Sequence, residues 1–173
     1  MAYAAFADVV LIVTTATLFY VALTDLREFK IRNELLLVLA ALYFLHAALS
    51  GRWVYMHWNI AFAIFMFALM LYFYQQGLMG GGDVKMLTVA FLWVGLQSAL
   101  IFSLALSVFI LIHIVVVKFG WGTVQETAGR KRIPFAPSIA AALIATFVSG
   151  SLLRGPSPFN LPLPSNLQYY WYW

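Results

Sequence analysis

The run MLTVAFLWVGLQSALIFSLALSVFILIHIVVV, residues Met86–Val117, decides the architecture of this chain. It holds 32 residues without one acid, lysine or arginine. As one straight helix, at ~1.5 Å per residue, it would be far longer than the ~30 Å hydrocarbon core of a bilayer. It is therefore either one tilted span with a long end or two short spans broken near Gly95-Leu96-Gln97-Ser98.

The whole chain has the same character. Of 173 residues, 64% are hydrophobic and 9% charged, against about 25% charged in a soluble domain. That places it among polytopic membrane proteins. The net charge of +4 sits in short loops between apolar runs, so a bilayer surface, not nucleic acid, is the expected partner. There is no cysteine, hence no disulfide, thiol nucleophile or cysteine-ligated zinc. His46, His57 and His113 lack ligand spacing, and no metal or cofactor is expected. The first apolar run has no basic flank and carries Asp8, so it reads as a retained span and not a cleaved signal.

Apolar runs place spans at about Ala5–Thr24, Glu34–Leu49, Met56–Tyr74 and Phe135–Leu153, in addition to Met86–Val117. Charge chooses between the two readings of that long run. With two spans, Arg27, Lys30, Arg32, Lys85, Lys118, Arg130, Lys131 and Arg132 gather on one side, and only Arg52 and Arg154 on the other. With one span the division is even. Because lysine and arginine favour cytoplasmic loops, the expectation is an all-α protein of six transmembrane helices with both termini on the non-cytoplasmic side. It reads as one membrane domain, 1–173, whose proline- and aromatic-rich tail, 154–173, lies at the membrane surface. Pro134 and Pro137 suit the first turn of the last span.

In this topology Asp25, at the foot of the first span, and Asp83, ahead of the fourth, fall on the cytoplasmic side at similar depth. A carboxylate near lipid is costly and calls for a function. Two close carboxylates in a poorly solvated place cannot both ionise easily, so the pair can share a proton. One then draws a proton from water while the other donates to a scissile carbonyl oxygen. Gly80-Gly81-Gly82 before Asp83 suits that use, since glycine accepts positive φ and lets an extended substrate backbone approach. Each residue also has a plainer reading. Asp25 could pair with Arg27, the glycines could form a simple turn, and Lys85 could be a snorkelling anchor. Arg130-Lys131-Arg132 reads as a topology signal, and His113 as bonded to a neighbouring helix and not catalytic.

Three segments resemble the type IV prepilin peptidases. Gly80-Gly81-Gly82-Asp83-Val84-Lys85 resembles their G-x-G-D-x-K motif. Asp25-Leu26-Arg27-Glu28-Phe29-Lys30-Ile31-Arg32-Asn33 is similar to their first-aspartate loop, D-x-R-x-x-x-I-P-N, with Arg32 where proline is usual. Ile133-Pro134-Phe135-Ala136-Pro137 resembles the start of their last span. The resemblance implies an aspartic endopeptidase of the inner membrane with Asp25 and Asp83 catalytic. Gly80, Gly81, Gly82, Lys85, Arg27 and Asn33 would form the supporting loops. The substrate implied is a prepilin, whose short basic leader is removed at the cytoplasmic face beside its hydrophobic helix; Glu28, Glu34 and Glu126 could attract that leader. Without paired cysteines and an N-terminal cytoplasmic region, the chain resembles the short, CpaA/TadV-like branch, which implies cleavage without N-methylation. The rivals are a small transporter or proton-relay protein, with matched broken helices in its two halves, and a non-catalytic secretion-assembly subunit.

Overall fold

The computed structural model of the chain describes residues 2–50, 53–120, 125–127, 130–132 and 134–152. The elements run α1 (Ala2–Glu28), α2 (Asn33–Leu49), α3 (Trp53–Gln75), α4 (Gly81–Lys118), β1 (Gln125–Thr127), β2 (Arg130–Arg132) and α5 (Ala136–Leu152). β1 and β2 pair antiparallel in the connection between α4 and α5. The aromatic tail lies outside the described residues.

Among the described residues there are five helices where six spans were expected, because the two helical segments of 81–118 follow each other without a loop. Three helices among the described residues are long and apolar enough to cross a membrane: Phe6–Glu28, Met56–Gln75 and Gly81–Lys118. α2 and α5 are shorter apolar helices of 17 residues each, at the lower bound of a span.

The long helix is not straight. Gly95 interrupts it with φ 62 and ψ −178, a region open essentially to glycine alone. Contacts with α5 establish what the interruption does. Trp93 stacks edge-on with Phe147, well along α5. Twenty residues later, His113 meets Ser138, at the start of α5. The segment 81–94 thus runs with α5 and the segment 96–118 runs back against it. Phe91 and Phe102 flank the turn with ring centroids 5.3 Å apart, whereas a straight helix would separate their positions by about 16 Å of rise. α4 is a helical hairpin, and its turn falls within the stretch the sequence marked for a break.

Four helices close a ring in which α1 meets α2, α2 meets α4, α4 meets α5, and α5 meets α1; α3 lies outside it, mainly against α4. α1 faces the interior along Ala7, Val10, Thr14, Leu18, Val21 and Asp25, a stripe at helical spacing. The buried Thr14 and Thr24 hydroxyls donate to carbonyls one turn back, at 2.8 and 2.9 Å. Trp93 anchors the far end of the ring by donating its Nε1–H to the Leu39 carbonyl of α2 at 3.0 Å.

A Cβ on Gly95 would collide with the Asn59 side-chain amide on α3. Gly95→Ala is therefore expected to destabilise the protein by about 1–3 kcal/mol from backbone strain, with that collision in addition. Gly150→Ala, where a Cβ meets nothing within 4 Å, is expected to be tolerated. Thermal unfolding of both variants in detergent checks the contrast.

Candidate active site

The two aspartates arrive at one end of the ring by different local routes. Asp25 sits in the last turn of α1, not in the following loop as the sequence suggested. As the last member of the interior stripe it is only 5% exposed. Its Oδ2 accepts a hydrogen bond from the Ala136 N–H at 3.0 Å. Ala136 is the first residue of α5, and a helix's first N–H groups lack intrahelical partners. The carboxylate supplies one and also faces the positive end of the helix dipole. This contact ties the first helix to the last across 111 residues.

Asp83 lies two residues into α4 and is half-buried. Gly80 is the cap of that helix, and its N–H donates to the Asp83 carboxylate. This is the reciprocal half of a capping box, made by a side chain in the helix's third position. The Asp25 and Asp83 carboxyl groups are close enough for their charges to interact.

The three glycines play a different part from the one expected. None has positive φ; Gly77, Gly95 and Gly120 do. Gly81 and Gly82 already belong to α4. A Cβ on Gly81 would lie 3.4 Å from Tyr74, and one on Gly82 3.5 Å from Ile31, which are ordinary contacts. Gly80 alone is critical, because a Cβ there would lie 2.9 Å from Asp83 Oδ2. The need is for space beside the carboxylate and not for an unusual backbone.

The remaining supporting residues divide. Lys85 Nζ donates to Asn33 Oδ1 at 3.1 Å, joining the starts of α4 and α2. Its amino group thus has a side-chain amide, not Asp83, as its partner. Arg27 is exposed and makes no ion pair with Asp25. Arg32 pairs instead with Glu28 at 3.4 Å on the surface, a contact worth at most about 1 kcal/mol. That pairing also makes Glu28 a poorer attractor for a basic peptide. Arg32 has φ −76 and ψ 130, a conformation that proline would also adopt, so the exchange preserves the backbone. Phe29, with φ 50, is left-handed and ends α1, so the chain re-enters a helix after only three more residues.

The sequence reading missed the Ala136 amide. A signal for it was present: Pro134 and Pro137 carry no N–H, so the donors at this helix start are few and their acceptors can be sought. Among the described residues no three histidine or acidic side chains gather as a metal-binding group; the aspartates stand as a pair.

The model of the type IV leader peptidase family matches residues 12–116, which is 105 of 173. The chain belongs to the type IV leader peptidase family. No curated protein and no solved structure matches it. The family match includes Asp25 and Asp83 and stops before α5. The contact between Asp25 and Ala136 therefore comes from the fold alone.

Gly80→Ala is expected to lower leader peptidase activity at least about tenfold while leaving the unfolding temperature nearly unchanged. The added methyl displaces the Asp83 carboxylate, and if that group reacts, even a small displacement is costly. Gly81→Ala should retain activity. Paired cleavage and unfolding assays test both.

Proposed function

We propose that the chain is a membrane-embedded aspartic endopeptidase that removes the basic leader of a type IV-like prepilin, with Asp25 and Asp83 activating one water. What supports this is the presence of two carboxylates at one end of the ring, near enough for their charges to interact, in a chain of the leader peptidase family. One carboxylate takes a proton from water as its oxygen attacks the scissile carbonyl carbon. The other, protonated, donates to the carbonyl oxygen. The tetrahedral species collapses as the C–N bond breaks, and the departing nitrogen takes the proton that water gave up. As the carbonyl re-forms, the hydroxyl of the tetrahedral species returns its proton to the second carboxylate, which restores the shared proton for the next turnover.

The hairpin of α4 favours counting its two segments as separate crossings, six in all, with the chain working as one peptidase unit, 1–173. Arg27, Lys30, Arg32 and Lys85 flank the helix ends that carry the aspartates, and the loop holding Arg130-Lys131-Arg132 leads into Ala136. By the positive-inside rule that end faces the cytoplasm, both termini face outward, and the inner membrane is the location. A prepilin can then reach the site by lateral diffusion with its leader in the cytoplasm. Among the described residues the broken helix is α4, which turns at Gly95, at the end of the ring away from the acids. It does not provide the ion site that a transporter would build from broken helices.

The test is cleavage of a co-reconstituted prepilin. Asp25→Asn and Asp83→Asn are each expected to lower kcat by about 10²–10⁴-fold or more, with membrane insertion and unfolding temperature preserved. Wild-type rates in either variant would overturn the reading.

A further inference from the structure

The segment 96–117 carries one ionisable residue, His113, in an otherwise apolar run with four small polar residues. An ionisable side chain inside such a segment is costly unless it has a partner. His113 Nδ1 lies 3.0 Å from Ser138 Oγ. Ser138 is 3% exposed and is the third residue of α5. Ala136, whose N–H holds Asp25, is the first and is fully buried.

The start of α5 has few other directional ties. Pro137 lies between Ala136 and Ser138 and has no N–H, as has Pro134 upstream. Ser138 is the sole polar side chain of α5 before Thr146. Apolar packing lets a helix rotate or slide slightly, whereas a buried hydrogen bond between helices fixes register. We propose that His113 is a positioning residue: its bond to Ser138 fixes the axial and rotational setting of the first turn of α5, and so holds the Ala136 amide on Asp25. This rests on the reading of Asp25 as a reacting group, and the arrangement makes the α4 hairpin part of the catalytic apparatus. The returning segment 96–118 reaches the site end only because the chain reverses at Gly95, and there it places an imidazole against the helix that Asp25 caps.

The experiment uses the full chain in lipid with His113→Leu, His113→Asn, Ser138→Ala and the double variant His113→Leu/Ser138→Ala. Three quantities are read: kcat and KM on a reconstituted prepilin, unfolding temperature, and amide exchange at Phe135 and Ala136. Exchange there is cleanly read, because Pro134 and Pro137 contribute no amide hydrogen. His113→Leu and Ser138→Ala should each lower kcat about tenfold or more, with KM unchanged. The double variant should fall no further than either single one, since both remove one bond. His113→Asn, which keeps a polar atom near the Nδ1 position, should recover most of the rate. Exchange at Ala136 should quicken by about five- to tenfold in the two disrupting variants. Losses that multiply in the double variant, no recovery in His113→Asn, or unchanged exchange at Ala136 would overturn the proposal. If the wild-type protein does not cut prepilin, the protease reading fails, while the exchange rates still decide whether His113 sets the position of α5.

Discussion

The hydrogen bond from the Ala136 amide to the Asp25 carboxylate is the constraint on which the site depends. It satisfies a helix N-terminus that has no partner of its own and an acid that membrane burial would otherwise leave alone. The bond also closes the ring of α1, α2, α4 and α5, so the chain's first and last described helices define one end of the bundle together. Asp83 reaches the same end from α4, steadied by the cap residue of its own helix.

Around this end the starts of α2, α4 and α5 converge with the close of α1. The starts of α4 and α5 each supply a backbone N–H to one of the two carboxyl groups. Lys85 and Asn33 bind two of these starts to each other, and Ile31 packs against Gly82 from the short link between α1 and α2. The far end is held by different means, through Trp93 against Leu39, Tyr43 and Phe147. Rigid aromatic packing at that end and polar capping at the other suit a scaffold that must keep two acids in fixed relation.

Much of this was readable in the sequence, though not all for the right reason. Asp25 and Asp83 drew attention because acids in an apolar chain stand out, and charge asymmetry put them on one side, where the structure also brings them to one end of the ring. The length of Met86–Val117 set against bilayer thickness left one tilted span or a break near Gly95 open, and the distribution of lysine and arginine chose the break. The role given to Gly80–Gly82 was wrong in mechanism: their backbone is ordinary, and only Gly80 is constrained, by the carboxylate beside it. That constraint is a three-dimensional contact with no compositional trace. The inward stripe of α1 was also hidden. Its outer face carries Val9, Ile12, Val13, Phe19 and Leu23, so lipid-facing and core-facing sides are equally apolar and hydrophobic periodicity is flat. The link from α5 to Asp25 was obscured because its donor is a main-chain group of an alanine; the bond of His113 to a neighbouring helix was expected, but its partner Ser138 was hidden because a long-range pair leaves no local pattern.

The absence of cysteine permits a direct test of the central claim, that Asp25 and Asp83 face each other across one small space. The double variant Asp25→Cys/Asp83→Cys, in lipid and treated with a short bifunctional thiol reagent, should form an intramolecular cross-link between α1 and α4, visible by mass after proteolysis between them. Labelling of each cysteine by a monofunctional reagent, with no cross-link between the two, would contradict it.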